Sequence, residues 1–131
     1  MLHHVSLGVT DIERAVAFYD AVLAPLGYVR VWSDLDGDDA AAGYGPPGGG
    51  DKLALKRRAG AQPPGPGFHF ALAAPGRASV DAFHAAALRH GGRDDGVPGL
   101  RPHYGPHYYA AFVVDPDGHR IEAVINTPAQ D

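Results

Sequence analysis

The sequence contains no cysteine. That excludes disulfides, thiolate metal sites and a thiol nucleophile, and leaves histidine and carboxylate as the strong metal ligands. No run of one charge sign occurs: 11 Lys and Arg stand against 15 Asp and Glu, a formal charge of -4. A surface for nucleic acid or for an anionic membrane therefore has no electrostatic basis. No apolar stretch approaches the length of a bilayer span, and no basic and apolar leader precedes the first strand-like segment, so the chain reads as soluble and cytoplasmic. The expected partner is a small-molecule substrate or another protein. Against these absences stand eight histidines and 131 residues of which 45% are hydrophobic, enough to close the core of one domain.

Compared with itself, the chain repeats. Residues 4–27 resemble residues 69–92 at a constant offset of 65, pairing His4 with His69, Leu7 with Leu72, Ala17 with Ala82, Phe18 with Phe83, Ala21 with Ala86, Leu23 with Leu88 and Gly27 with Gly92. Seven identities exceed what chance gives in an alanine-rich chain, and both copies carry one strand-then-helix pattern. The single domain, residues 1–131, is thus a tandem duplication. Module one covers 1–58, a Gly/Pro-rich linker 59–67, and module two 68–131.

Each copy opens with a strand, His4 to Val9 and Phe68 to Ala73, in which apolar residues alternate with small or polar ones. Both histidines fall on the face opposite the bulky apolar side chains. A helix follows. In the first copy Thr10 is the expected cap, with Glu13 as its reciprocal partner and Ile12, Ala15, Val16 and Tyr19 as the buried stripe; Gly27 ends it. In the second, Ser79 is the expected cap, Val80, Phe83 and Ala87 form the stripe, and Gly91-Gly92 stops the helix. Strands are expected at Tyr28 to Trp32, Ala41 to Tyr44 and Leu53 to Arg57, then near Val97 to Pro102, at Tyr108 to Val114 and at His119 to Ile125. Asp115-Pro116-Asp117-Gly118 suits a type I turn joining the last two. The order is βαβββ, linker, βαβββ: an α+β fold of two tandem modules forming a curved mixed-sheet cup.

A duplication that keeps a histidine at the same place in both first strands suggests that the two imidazoles converge across a pseudo-twofold axis. On the last strand the one acid is Glu122, set between Ile121 and Ala123. Burying a lone carboxylate costs several kcal/mol unless it is paired or bound to a cation, so Glu122 calls for a partner. Two imidazoles and a carboxylate make a facial triad with positions left open, and His4, His69 and Glu122 are the expected ligands of a divalent metal ion, Fe, Mn, Ni, Co or Zn. His3 competes for the first place; the offset of 65 selects His4.

The segments HVSLGVTDIERAVAFYDAVLAPLGY, FHFALAAPGRASVDAFHAAALRHGG and YYAAFVVDPDGHRIEAV resemble the vicinal-oxygen-chelate superfamily, the glyoxalase, bleomycin-resistance and extradiol-dioxygenase architecture. The resemblance spans most of the chain. It implies paired βαβββ modules, a metal at the base of a cup and a homodimer, with the family's ligands falling on His4, His69 and Glu122. Glyoxalase I enzymes of this fold use a fourth, acidic ligand on the last strand of module one. Here that strand reads Lys52-Leu53-Ala54-Leu55-Lys56, with Asp51 nearby, which argues against lactoylglutathione lyase activity. The remaining pattern looks more like the extradiol dioxygenases and the fosfomycin-resistance thiol transferases. The expected function is a metalloenzyme acting on a small substrate chelated through vicinal oxygens. The alternative is a metal-free, drug-sequestering protein of the bleomycin-resistance type.

His103 to Tyr109 is the densest aromatic and imidazole cluster, placed to line the mouth of the pocket. Tyr104, His107 and Tyr109 are the catalytic candidates, with Tyr108 and His103 beside them. Asp34, Asp36, Asp38 and Asp39 lack the downstream glutamate of a calcium loop, and Gly48-Gly49-Gly50 lacks the partners of a phosphate loop. His84, His90 and His119 read as exposed helix or turn residues.

Overall fold

In a computed structural model that describes residues 1–129, the elements run β1 (Val5–Val9), α1 (Ile12–Leu23), β2 (Val29–Asp34), β3 (Ala41–Gly45) and β4 (Leu53–Arg57). The pattern then repeats as β5 (Phe70–Ala73), α2 (Arg77–Arg89), β6 (Arg93–Leu100), β7 (Tyr108–Val114) and β8 (Arg120–Asn126). They build two four-stranded sheets of identical topology, ordered β1-β4-β3-β2 and β5-β8-β7-β6. In each, the first strand pairs in parallel with the last and the other pairs are antiparallel. The expected α+β arrangement of two βαβββ modules is therefore observed, as two separate mixed sheets. No helix among the described residues is long and apolar enough to cross a membrane.

The helices lie against each other and against one face of the sheets. The stripe Ile12, Ala15, Val16 and Tyr19 is buried as the 3.6-residue period predicts, and so are Val80, Phe83 and Ala87. Together with Leu7, Val9, Leu55, Val113 and Ile121 they make one continuous core. Gly92 marks how closely the copies approach: a Cβ there would sit 2.7 Å from the Phe18 ring of the other module.

Local details depart from the sequence reading where tertiary partners intervene. Thr10 does not cap α1. Its amide and hydroxyl both donate to Asp117 of module two, at 3.0 and 2.8 Å, and Asp11 becomes the cap by accepting the Arg14 amide. Ser79 does not cap α2 either: the helix begins two residues before it, at Arg77, behind an extended Gly76 with no side-chain cap. After α1 the chain makes a 3-10 turn over Ala24–Leu26 before Gly27 turns it with φ 88°. β6 starts earlier than expected because bulges around Gly96 and Gly99 let it stay paired with β7.

Two histidines expected at the surface are buried. His84, on α2, turns toward β6 with Nε2 2.9 Å from Asp94, and His119 is 2% exposed, donating from Nε2 to the Gly8 carbonyl at 2.7 Å. The latter bond belongs to a clasp between the modules. Its other members are Thr10 and Arg14 on Asp117, and Tyr19, whose hydroxyl donates to buried Asp115 at 2.5 Å. Asp115 also accepts the amides of Asp117 and His119 within its own turn, and Gly118 closes that turn on the Asp115 carbonyl.

Two outcomes follow. Tyr19→Phe takes one donor from a buried carboxylate and should lower the unfolding free energy by about 1–3 kcal/mol, measured by urea denaturation. Asp94 titrates below its ordinary value of 3.8, first because His84 hydrogen-bonds it and next because the Gly96 amide does. A depressed carboxyl contributes stability above that value and loses it as pH falls through the folded pKa. The melting-temperature gap between wild type and Asp94→Asn should therefore narrow as pH drops below about 4.

Candidate functional site

Strand alternation decides which side chains meet on the sheet of module two. Ile121 and Ala123 point into the core, so Glu122 between them points to the opposite face, where its neighbours by register are Ala71 on β5 and Phe112 on β7. There it is covered: Glu122 is 1% exposed. Its Oε1 lies 3.0 Å from Nε2 of His69, and its Oε2 accepts a short hydrogen bond from the Tyr108 hydroxyl. The carboxylate that the sequence leaves without a partner thus has two. His69 sits one residue before β5 and is half exposed, so its ring bridges the buried carboxylate and the outside.

The surrounding wall is aromatic. The Phe112 ring stands edge-on to His69 at 6.0 Å, and the Arg101 guanidinium lies 5.4 Å above Phe112 while donating to the Gly99 and Val97 carbonyls. Gly96 leaves the room for this: a Cβ there would be 2.9 Å from the Phe112 ring. Tyr108 is backed by Tyr104 at 5.2 Å, and Tyr104 by His103 at 4.1 Å. Burial, followed by the Glu122 bond and its charge, pushes Tyr108 up to about 12. At neutral pH its phenol is a donor and not a base.

The other expected residues lie as follows. His4 is exposed one residue before β1, its Nδ1 2.8 Å from Nδ1 of His3 in a shared hydrogen bond. Both rings line a cavity of about 490 Å³ with Leu2, Phe68, His69 and Phe70. Among the described residues no group of three His, Asp or Glu side chains converges closely enough to hold an ion. Tyr104 and His107 are exposed. Tyr109 faces the other way, donating to Asp81 of α2 at 2.6 Å with Arg77 stacked 5.1 Å from its ring. Tyr108, one position earlier, is the residue that reaches Glu122. The parity was available in the sequence, since a hairpin closed at Asp115 to Gly118 puts Tyr108, Phe112 and Glu122 on one face and Tyr109 on the other.

The same registers locate the counterpart of Glu122 in module one. Ala71 pairs with Glu122 and Ser6 pairs with Ala54, and Ala71 and Ser6 are related by the offset of 65, so the fourth-ligand position is Ala54. Where module two has Phe112 beside Glu122, module one has Gly43, and the Trp32 indole lies in the space a side chain there would fill. Trp32 donates to one oxygen of Asp51 at 3.3 Å.

His69 and Glu122, two of the three expected ligands, are joined by a direct hydrogen bond of 3.0 Å. Atoms bound to one ion at roughly 2.1 Å and about 90° apart are about 3.0 Å from each other, the separation of His69 Nε2 and Glu122 Oε1. The third, His4, opens on the same cavity as His69.

A family model described as the Glyoxalase/Bleomycin resistance protein/Dioxygenase superfamily matches residues 1–123. The structure resembles a glyoxalase/bleomycin resistance protein from Albidiferax ferrireducens T118 (32% identity, 92% of this chain and 94% of that one, TM-score 0.74). It also resembles glyoxalase I from Zea mays (26% identity, 94% of this chain and 45% of that one, TM-score 0.71). A domain from Frankia sp. EAN1pec described as glyoxylase/bleomycin resistance protein/dioxygenase shares the fold at 18% identity, covering 99% of this chain and 94% of that one with a TM-score of 0.72. No curated protein matches the chain.

Gly96→Ala should drive Phe112 toward His69 and cost about 1–3 kcal/mol of stability, read by urea denaturation. A Gly99→Ala control meets only the Arg101 guanidinium, at 3.2 Å, and should cost less.

Proposed function

The chain belongs to the glyoxalase/bleomycin resistance protein/dioxygenase superfamily, and from that premise we propose that it is a metal-dependent enzyme acting on a small substrate bound through two neighbouring oxygens. His69, Glu122 and His4 are its ligands to a divalent ion. The observation that carries this reading is the 3.0 Å spacing of His69 Nε2 and Glu122 Oε1 around a carboxylate that is 1% exposed. When bound, the ion supplies a Lewis acid or a dioxygen site with open positions.

The chain's own residues do the rest. Glu122 brings one negative charge against the two positive charges of the ion, which leaves a centre suited to an anionic oxygen pair. Neutral imidazoles add none. Phe112 beside His69, and Tyr108 on Glu122 with Tyr104 behind it, offer aromatic surface next to the ligands, and exposed Tyr104 and His107 are candidates to meet a substrate from solvent. Tyr109, turned to α2, has no part. With alanine at the position of a fourth acidic ligand, no second carboxylate shuttles a proton, and glyoxalase I chemistry is disfavoured. β1 and β5 are edge strands in their sheets, which supports a homodimer that covers them.

A second reading has one observation for it. Glu122 already holds two donors, His69 and Tyr108, so its burial does not require a cation, as in a metal-free protein that sequesters a small aromatic compound.

Elemental analysis of protein purified without chelator, and titration with Fe(II), Mn(II), Co(II), Ni(II) and Zn(II), separates the two. The enzyme reading expects about one ion per chain and a loss of at least about tenfold in affinity for His69→Ala. Stabilisation by aromatic compounds with no metal bound, or affinity untouched by His69→Ala, overturns it.

A further inference from the structure

The two oxygens of Glu122 are not equivalent. Oε1 faces His69, while Oε2 is taken by the Tyr108 hydroxyl. Tyr108 does not oppose Glu122 in the register; Phe112 does, and Tyr108 pairs with Asn126. The phenol reaches back along the face of the sheet, and the Tyr104 ring, itself against His103, packs beside it.

Building on the metal reading, we infer that Tyr108 is a positioning residue that fixes Glu122 as a one-oxygen ligand, with Oε1 beside His69 and Oε2 held out of the coordination sphere. A carboxylate that chelates through both oxygens must pivot until each is equally near the ion. That pivot strains or breaks the charge-assisted hydrogen bond from the partly buried phenol. Two consequences follow. One more coordination position stays free for the oxygens of a substrate. The phenol also draws charge from the carboxylate, so the ion keeps more of its own Lewis acidity.

The test compares Co(II) binding to the wild-type chain, Tyr108→Phe and Tyr104→Phe, by chelator competition and by the visible absorption of bound Co(II). Tyr108→Phe should bind about 10–100-fold more weakly, the effect typical of removing an outer-shell partner, and should shift the absorption band. Tyr104→Phe keeps a ring behind Tyr108 and should change neither. As a variant of almost unchanged shape that folds like wild type, 3-fluorotyrosine incorporated at position 108 is a stronger donor and should move the band in the opposite sense to Tyr108→Phe. Wild-type affinity and spectrum in both position-108 variants overturn the positioning role and leave the metal site standing. Absence of Co(II) binding by the wild-type chain overturns the metal reading and the inference together.

Discussion

The placement of the site depends on the clasp that the turn before β8 makes on the start of module one. His119 lies three residues before Glu122, and the carbonyl it binds, Gly8, lies four residues after His4. One buried bond therefore sets where the strand carrying the carboxylate stands relative to the strand carrying the first histidine. Because a carbonyl only accepts, the hydrogen is on Nε2, and the buried Nδ1 has no partner among the described residues. Thr10 and Arg14 both donate to Asp117, whose side chain is 4% exposed, with Arg14 reaching it from the solvent side. Asp115 is the costly member: burial raises its pKa, while the Tyr19 hydroxyl and two amides offset that by stabilising the charged form. The same carboxyl lifts Tyr19 well above the ordinary phenol range, after burial itself.

Much of this was legible in the amino-acid order because duplication prints the architecture twice. Leu53–Arg57 and Tyr108–Val114 appear at the bounds their alternation predicts, and the buried stripes of both helices follow their period. What the order concealed was set by partners far along the chain. Thr10 looks like a cap until Asp117, 107 residues on, takes its hydroxyl. His84 and His119 look exposed because their partners, Asp94 and Gly8, come from other elements and nothing local signals them. Glu122 shows the same limit: its place in an apolar strand predicts burial and a need for a partner, but the choice among a cation, His69 and Tyr108 is made in three dimensions.

The two halves differ at the positions around Glu122, on the face of the sheet not packed on helices. Module two has a carboxylate there, flanked by Ala71 and Phe112; module one has Ala54 at the corresponding register position, flanked by Ser6 and Gly43, while both keep the histidine before the first strand, His4 and His69. Core residues such as Phe18 and Phe83 are identical under the offset because both must fill equivalent space. On the other face the residues on and beside the last strand differ, Phe112 against Gly43 and Glu122 against Ala54, and the backbone topology is the same in both.

The indole lying across Gly43 has a practical meaning. It is the chain's one tryptophan, about 39% exposed and hydrogen-bonded to an acid, on the half of the molecule that lacks the carboxylate. Its fluorescence therefore comes from a single known address. A ligand or a second chain arriving over that sheet would change the emission directly, while events confined to the other half would reach it only by moving the framework, so an optical signal distinguishes the two halves without any label.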